Sequence, residues 1–236
     1  INQSLARIKQ SLESINPRIS IQHKENVCKL LISEPDASIK VEVNMVGRGL
    51  LANTEKLPLC SAAQNEFDRF CAVNIVSMGQ LYGGKICAAL DRQHPRDLFD
   101  IRLLLDNEGL TDEIRNGFIY WLVSSNRPIH EMLNPRRHDQ KDVFDKQFRG
   151  MTVLGFTYEM YEKTREELIN SIMHSMTDLD KQFLLGFNQR EPDWNIHNLQ
   201  QYPSVRWKLL NLEKFSRERF QDYQNHCIEL ERVLSK

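Results

Sequence analysis

Apolar residues at the start of the chain recur at helical spacing. Ile1, Leu5, Ile8 and Leu12 lie 4, 3 and 4 residues apart, which predicts a helix over residues 1–12. Asn16-Pro17 ends it, because the residue before a proline is pushed out of the α region. The period then changes from helical to alternating. Residues 27–33 read as a strand, and Glu34-Pro35-Asp36-Ala37 as a turn. Ile39, Val41, Val43 and Met45 then alternate with Lys40, Glu42 and Asn44 over residues 39–46. Together these segments predict a β-hairpin with one buried face. Residues 73–78 read as one more short strand.

Beyond Gly79 the pattern is mostly helical. Residues 80–91 and 95–105 form two helices, with His94 as a cap and Pro95 at the first helical position, where its missing N–H costs nothing. Asn107-Glu108-Gly109 closes the second. Thr111 opens another, with Ile114, Phe118, Trp121 and Leu122 on its apolar side. Residues 126–150 are polar and broken by prolines, with short helical stretches at most, and read as a linker or mobile loop. Helices follow over 158–176 and 178–187, then an irregular stretch over 192–203. Residues 205–234 read as one long helix or two joined ones. Phe220, Tyr223, Cys227, Leu230 and Leu234 make an a/d seam there, too short for a coiled coil and suited to packing within the chain's own bundle. The pattern predicts an α+β fold: a small sheet followed by a mostly helical C-terminal region.

Charge narrows the function classes. A formal net charge of −1 over 236 residues argues against a dedicated duplex-DNA binder and leaves room only for a local basic patch. The five cysteines form no CxxC pair, which predicts reduced thiols acting as small buried hydrophobes in a cytoplasmic protein. No apolar run is long enough to cross a bilayer, and residues 1–14 are too charged for a signal peptide. The first residue is Ile1 rather than methionine, so the chain is expected to be a piece of something longer.

The densest chemistry lies between Lys85 and Asp100. Gly83-Gly84-Lys85 has neither the earlier glycine nor the following Ser/Thr of a Walker loop, so that reading is excluded. Lys85 and Arg92 are seven apart and share a helical face, with small Ala88 and Ala89 between them. Arg96, Asp97 and Asp100 follow across a tight bend. Asp97 sits in the first turn of the next helix, where a carboxylate offsets the macrodipole. These charges also suit a purely structural ion-pair network. Glu42 stands on a strand, between Lys40 and Asn44, where a carboxylate can offer hard oxygen to Mg²⁺ or simply balance lysines. Arg127, Arg136, Arg137, His138 and Lys141 form a basic stretch diluted by Asp139, Asp142 and Asp145. The histidines lack zinc-site spacing, and no G-x-S-x-G motif supports a hydrolase.

These residues carry a resemblance. Lys85, Ala88-Ala89-Leu90, Arg92 and Arg96-Asp97-Leu98-Phe99-Asp100 resemble the Lys-x-x-Ala-Leu…Arg-x-x-Asp-[Leu/Ile]-[Tyr/Phe]-Asp block of AbiEii-type nucleotidyltransferase toxins. Lys40-Val41-Glu42-Val43-Asn44 is similar to the strand upstream of that block. Gln182-Phe183-Leu184 with Glu191-Pro192-Asp193-Trp194 resembles a second family stretch, and the segment from Tyr202-Pro203 to Leu212 a third. The resemblance implies a fold related to DNA polymerase β-type nucleotidyltransferases, with residues 1–108 in the α/β core and 109–236 as a helical domain. It implies Mg²⁺, a nucleoside triphosphate (NTP), an acceptor such as RNA or tRNA, and an antitoxin partner. Lys85 would hold triphosphate charge with Arg92 and Arg96 beside it. Asp97 would be an essential carboxylate, and Glu42 the third acidic metal-binding position, all lining one cleft. The family's Gly-Ser and Asp-x-Asp motifs are absent in the required context; Asp178-Leu179-Asp180 has the spelling but opens a late helix. A truncated, inactive fragment is therefore expected. The alternative is a non-enzymatic helical interaction or RNA-binding module.

Overall fold

The computed structural model describes residues 1–43 and 49–235. They belong to two compact units, Ile1–Gly47 and Arg48–Lys236, and the fold is α+β. The expected strand positions Asn44, Met45 and Val46 lie outside the described residues.

The first unit is a helix on a three-stranded sheet. Helix α1, Asn2–Ile15, is closed by the Asn16 N–H on the Leu12 carbonyl, one residue before Pro17. Strands β1 (Ser20–Lys24), β2 (Lys29–Ser33) and β3 (Ser38–Glu42) form an antiparallel meander. The register sets Ile21 opposite Ile32 and Leu30 opposite Val41. Leu5, Ile21 and Leu30 are buried together, with Leu12, Ile32, Val41 and Val43 packed against them. The predicted hairpin is β2–β3, but β2 starts at Lys29 because Glu25–Val27 forms a 3₁₀ turn and Cys28 is left-handed at φ 49°. Strand β1 was not predicted, since Ser20–Lys24 carries only one aliphatic residue. Ile39 remains 63% exposed at the sheet's end.

The second unit begins with a β-hairpin, β4 (Glu55–Pro58) against β5 (Ala72–Ile75), joined through α2 (Ser61–Phe67). The predicted strand at 73–78 is thus shorter and displaced by one residue, and its Met78 end opens a helix. The helices are α3 (Met78–Arg92), α4 (Pro95–Asn107), α5 (Asp112–Leu122), α6 (Ile129–Leu133), α7 (Lys141–Val143, continued by a π turn over Phe144–Phe148), α8 (Tyr158–Ser175), α9 (Asp178–Asn188), α10 (Pro203–Glu218) and α11 (Phe220–Leu234). Caps follow the predicted residues. His94 Nδ1 accepts from the Arg96 N–H, Thr111 Oγ1 from Ile114, and Gly109 turns left-handed at φ 69°. Leu98, Ile101, Leu104, Phe118, Ile119, Tyr120, Phe183 and Phe187 centre one core. Among the described residues no helix is long and apolar enough to cross a membrane.

Helices α3 and α5 pack backbone to backbone. A Cβ built on Gly117 would lie 1.9 Å from the Gly79 carbonyl oxygen, and one on Gly83 would lie 2.4 Å from the Gly117 carbonyl carbon. Only glycines allow that approach. Gly83-Gly84 is therefore a mid-helix packing surface.

Two expectations are corrected, one for residues 126–150 and one for the cysteines. Residues 126–150 are not a linker: Ile129, Met132, Leu133, Phe144 and Phe148 are buried in the core. Phe148 and Phe156 pack on Phe99 with ring centroids 5.6 and 5.4 Å away. Their apolar residues are too few for a clear period, but each is large and well placed. Residues 205–234 take the second of their two expected forms, two joined helices, broken at Arg219, whose φ of −140° is not helical. Of the cysteines, Cys87 is buried, while Cys60 and Cys71 are exposed beside the β4–β5 hairpin rather than acting as core residues.

Candidate functional site at the α3–α4 corner

The corner between α3 and α4 is built by local rules. Ser77 Oγ caps the start of α3, accepting from the Gln80 N–H at 3.3 Å. The helix runs until Gln93, which turns left-handed at φ 50°. His94 then caps α4 and Pro95 fills its first position. The two helices face each other closely enough for their charged side chains to meet.

Two ion pairs cross the corner. Lys85 Nζ lies 2.6 Å from Asp100 Oδ2, and Arg92 Nη2 lies 2.7 Å from Asp97 Oδ1. The cluster read from sequence is therefore one spatial group, and its four central charges are paired. The Lys85 and Asp100 side chains are 38% and 42% exposed, so solvent and small anions reach the pair. Asp97 is more enclosed. Its Oδ2 is buried and has no hydrogen-bond partner among the described residues. Leaving a carboxylate oxygen unsatisfied is costly, and a donor from a ligand would relieve that cost. Arg96 is exposed and forms no ion pair among the described residues. Tyr82 lies one turn before Lys85; burial, then the charge of Glu108, pushes its phenol up.

Sequence reading missed the residue that holds this corner. Gln93 is 1% exposed. Its Nε2 donates to the Arg136 carbonyl at 2.7 Å, and its Oε1 accepts from the His138 N–H at 3.0 Å. Its own carbonyl accepts from the Tyr161 hydroxyl at 2.8 Å. Arg165 of α8 donates to the His138 carbonyl at 3.0 Å. Gln93 thus ties the end of α3 to residues 136–138 and to α8. The signal available in sequence was small: a polar residue directly before His-Pro, where a left-handed break is needed.

Glu42 belongs to the other unit. It lies opposite Lys29 in the register. It is ion-paired to Lys29, and to Lys40 Nζ at 3.4 Å. The Lys29 hydrogen bond holds its carboxyl below the usual range despite opposing desolvation. The basic stretch is also largely paired: Arg127 with Asp91 and Glu131, and Arg137 with Glu166. Asp178-Leu179-Asp180 opens α9, where Thr177 and Asp180 form a reciprocal capping box. Asp180 is buried, hydrogen-bonded to His197 at 2.8 Å and ion-paired with Arg115 at 3.0 Å. It is a structural carboxylate.

Among the described residues no group of three or more His, Cys, Asp or Glu side chains is arranged to hold a metal ion. Glu42, Asp97 and Asp100 are each neutralised by a Lys or Arg. As they stand, these carboxylates do not fit a two-metal centre, which needs free oxygens bridging both ions.

The family model described as "Nucleotidyl transferase AbiEii toxin, Type IV TA system" matches residues 1–211 of the 236. The chain belongs to the AbiEii family. No curated protein and no solved structure matches it. The AbiEii match covers the whole first unit and the second through α9 and half of α10, and so includes Glu42 and the Lys85–Asp100 corner. AbiEii proteins are nucleotidyltransferase toxins of type IV toxin–antitoxin systems.

Proposed function

We propose that this protein transfers a nucleotide from an NTP to an acceptor, with RNA or tRNA as the acceptor class and an antitoxin as its controlling partner in the cytoplasm. The observation that carries the reading is the AbiEii match running through the Lys85–Asp100 corner. Residues 1–108 serve as part of the nucleotidyltransferase core and 109–236 as the helical domain.

On this reading the corner handles the triphosphate. Lys85 is held by Asp100 until a phosphate oxygen competes for its ammonium. Arg92, steadied by Asp97, and exposed Arg96 add charge along the same edge. Asp97 is the essential carboxylate because it orients Arg92 and keeps one oxygen unspent. Gln93 keeps both helices in register. Mg²⁺ is the ion that the family implies, but the ion-paired carboxylates of the corner do not fit a two-metal centre as they stand.

The test is label transfer. The protein is incubated with each α-labelled NTP, Mg²⁺ and total tRNA. Transfer is expected from the full-length protein with at least one NTP, reduced about 100-fold or more in Lys85→Ala and Asp97→Ala, with unchanged melting of both variants; residues 1–236 alone are expected to be silent, because the Gly-Ser and Asp-x-Asp motifs are absent from them in the required context. No transfer by the full-length protein with any NTP would leave the non-enzymatic binding module as the better account, and variants as active as the parent would place the reaction away from the α3–α4 corner.

A further inference from the structure

A second site lies away from the α3–α4 corner. The turn after α5 (residues 125–129), α10 and α11 enclose a cavity of about 410 Å³, within the ~300–1,000 Å³ range of small-ligand pockets. Its lining is chemically one-sided. Trp207 and Phe215 supply aromatic surface, and Trp207 is 48% exposed. Asn126 and Asn211 supply amides, and Arg127 and Arg219 supply guanidinium groups. Among the described residues no carboxylate lines it, although the whole chain carries 32 acids against 31 bases. The larger cavity beside α9 is the opposite case, with four carboxylates, one lysine and no aromatic ring.

The guanidinium groups are oriented by carboxylates outside the cavity. Arg127 Nε and Nη2 bond Asp91 and Glu131 at 3.1 Å each. Arg219 bonds Asp222 at 2.6 Å and lies over the Phe215 ring, 5.6 Å from its centroid. Beneath them Lys208 is buried, its ammonium donating to the Leu122 and Arg127 carbonyls, so the floor is rigid. An aromatic wall, amide edges and rim cations in a site without carboxylates match one ligand chemistry: a planar heterocycle that bears a phosphate.

We infer that this cavity binds a nucleotide unit, its base against Trp207 and Phe215 and its phosphate toward Arg127 and Arg219. The unit comes either from a free mononucleotide or from an unpaired nucleotide of an RNA strand. The inference stands on the cavity alone and does not need the transfer reaction.

The full chain is titrated without Mg²⁺ with the four nucleoside monophosphates, the four nucleosides, inorganic phosphate and a single-stranded RNA pentamer. Tryptophan fluorescence and calorimetry report binding. Saturable binding of a monophosphate or the pentamer is expected, weakened about tenfold or more by Trp207→Ala and several-fold by Arg219→Gln. Binding of the monophosphate without the pentamer assigns a free nucleotide; binding of the pentamer alone assigns a strand. Both uphold the site. Arg219 is exposed, so its variant keeps the test valid if Trp207→Ala misfolds. Phosphate binding as tightly as any nucleotide, no saturable binding, or binding indifferent to Arg219→Gln in a normally melting protein would each overturn it. Label transfer is not a readout, so this inference and the proposed activity fail separately.

Discussion

Asp180 shows how one side chain settles between opposing forces. Burial raises its carboxyl, but hydrogen bonds from His197 and Thr177 and the charge of Arg115 outweigh burial and bring it to about 2, below its ordinary 3.8. A depressed carboxyl contributes stability that is complete above its unfolded value and lost as pH falls through the folded one. We expect unfolding stability to drop between about pH 4 and 2, by ~1–2 kcal/mol from this group after solvent screening. Urea titrations at pH 5 and 2.5 measure it. Asp180→Asn, with nothing to titrate, should lose less over the same interval. At this scale the sequence was readable where a residue's role is local. His94 and Thr111 were recognised as caps, and Lys85 with Asp97 as parts of one cluster. It was unreadable where the role depends on distant partners, as for Gln93, whose bonds reach Arg136, His138 and Tyr161.

The α3–α5 contact is the most demanding piece of packing among the elements. Gly117→Ala places a methyl 1.9 Å from the Gly79 carbonyl oxygen, and the helices must part to admit it. We expect a loss of about 3 kcal/mol or more in chemical denaturation, at the upper end for overpacking. Gly150→Ala is the comparison. It meets open space at φ 85° and should cost only ~1 kcal/mol of backbone strain. Equal losses in the two variants would show that the helix contact is looser than described. Periodicity revealed the long amphipathic helices because each repeats one apolar face over several turns. It could not reveal β1, with a single aliphatic residue, or the 126–150 segment. There Phe144 packs on Phe156, and Phe148 packs on Phe156 and on Phe99, which lies far away in sequence.

The molecule has two separate cores. None of the residues in the larger core comes from residues 1–47, and the smaller is built wholly within them. A protein of residues 48–236 should therefore unfold cooperatively on heating, with a strong helical signal in circular dichroism. A gradual, uncooperative melt would show that the larger unit depends on the smaller. Lys85 and Arg92 both ride on α3, within that larger unit. A helix pressed backbone to backbone on its neighbour has no side-chain cushion to absorb sliding or rotation. A ligand arriving at Lys85 therefore meets an anvil rather than a spring. Little of its binding energy goes into ordering the platform, and any adjustment falls to the rotamers of Lys85 and Arg92 and to α4.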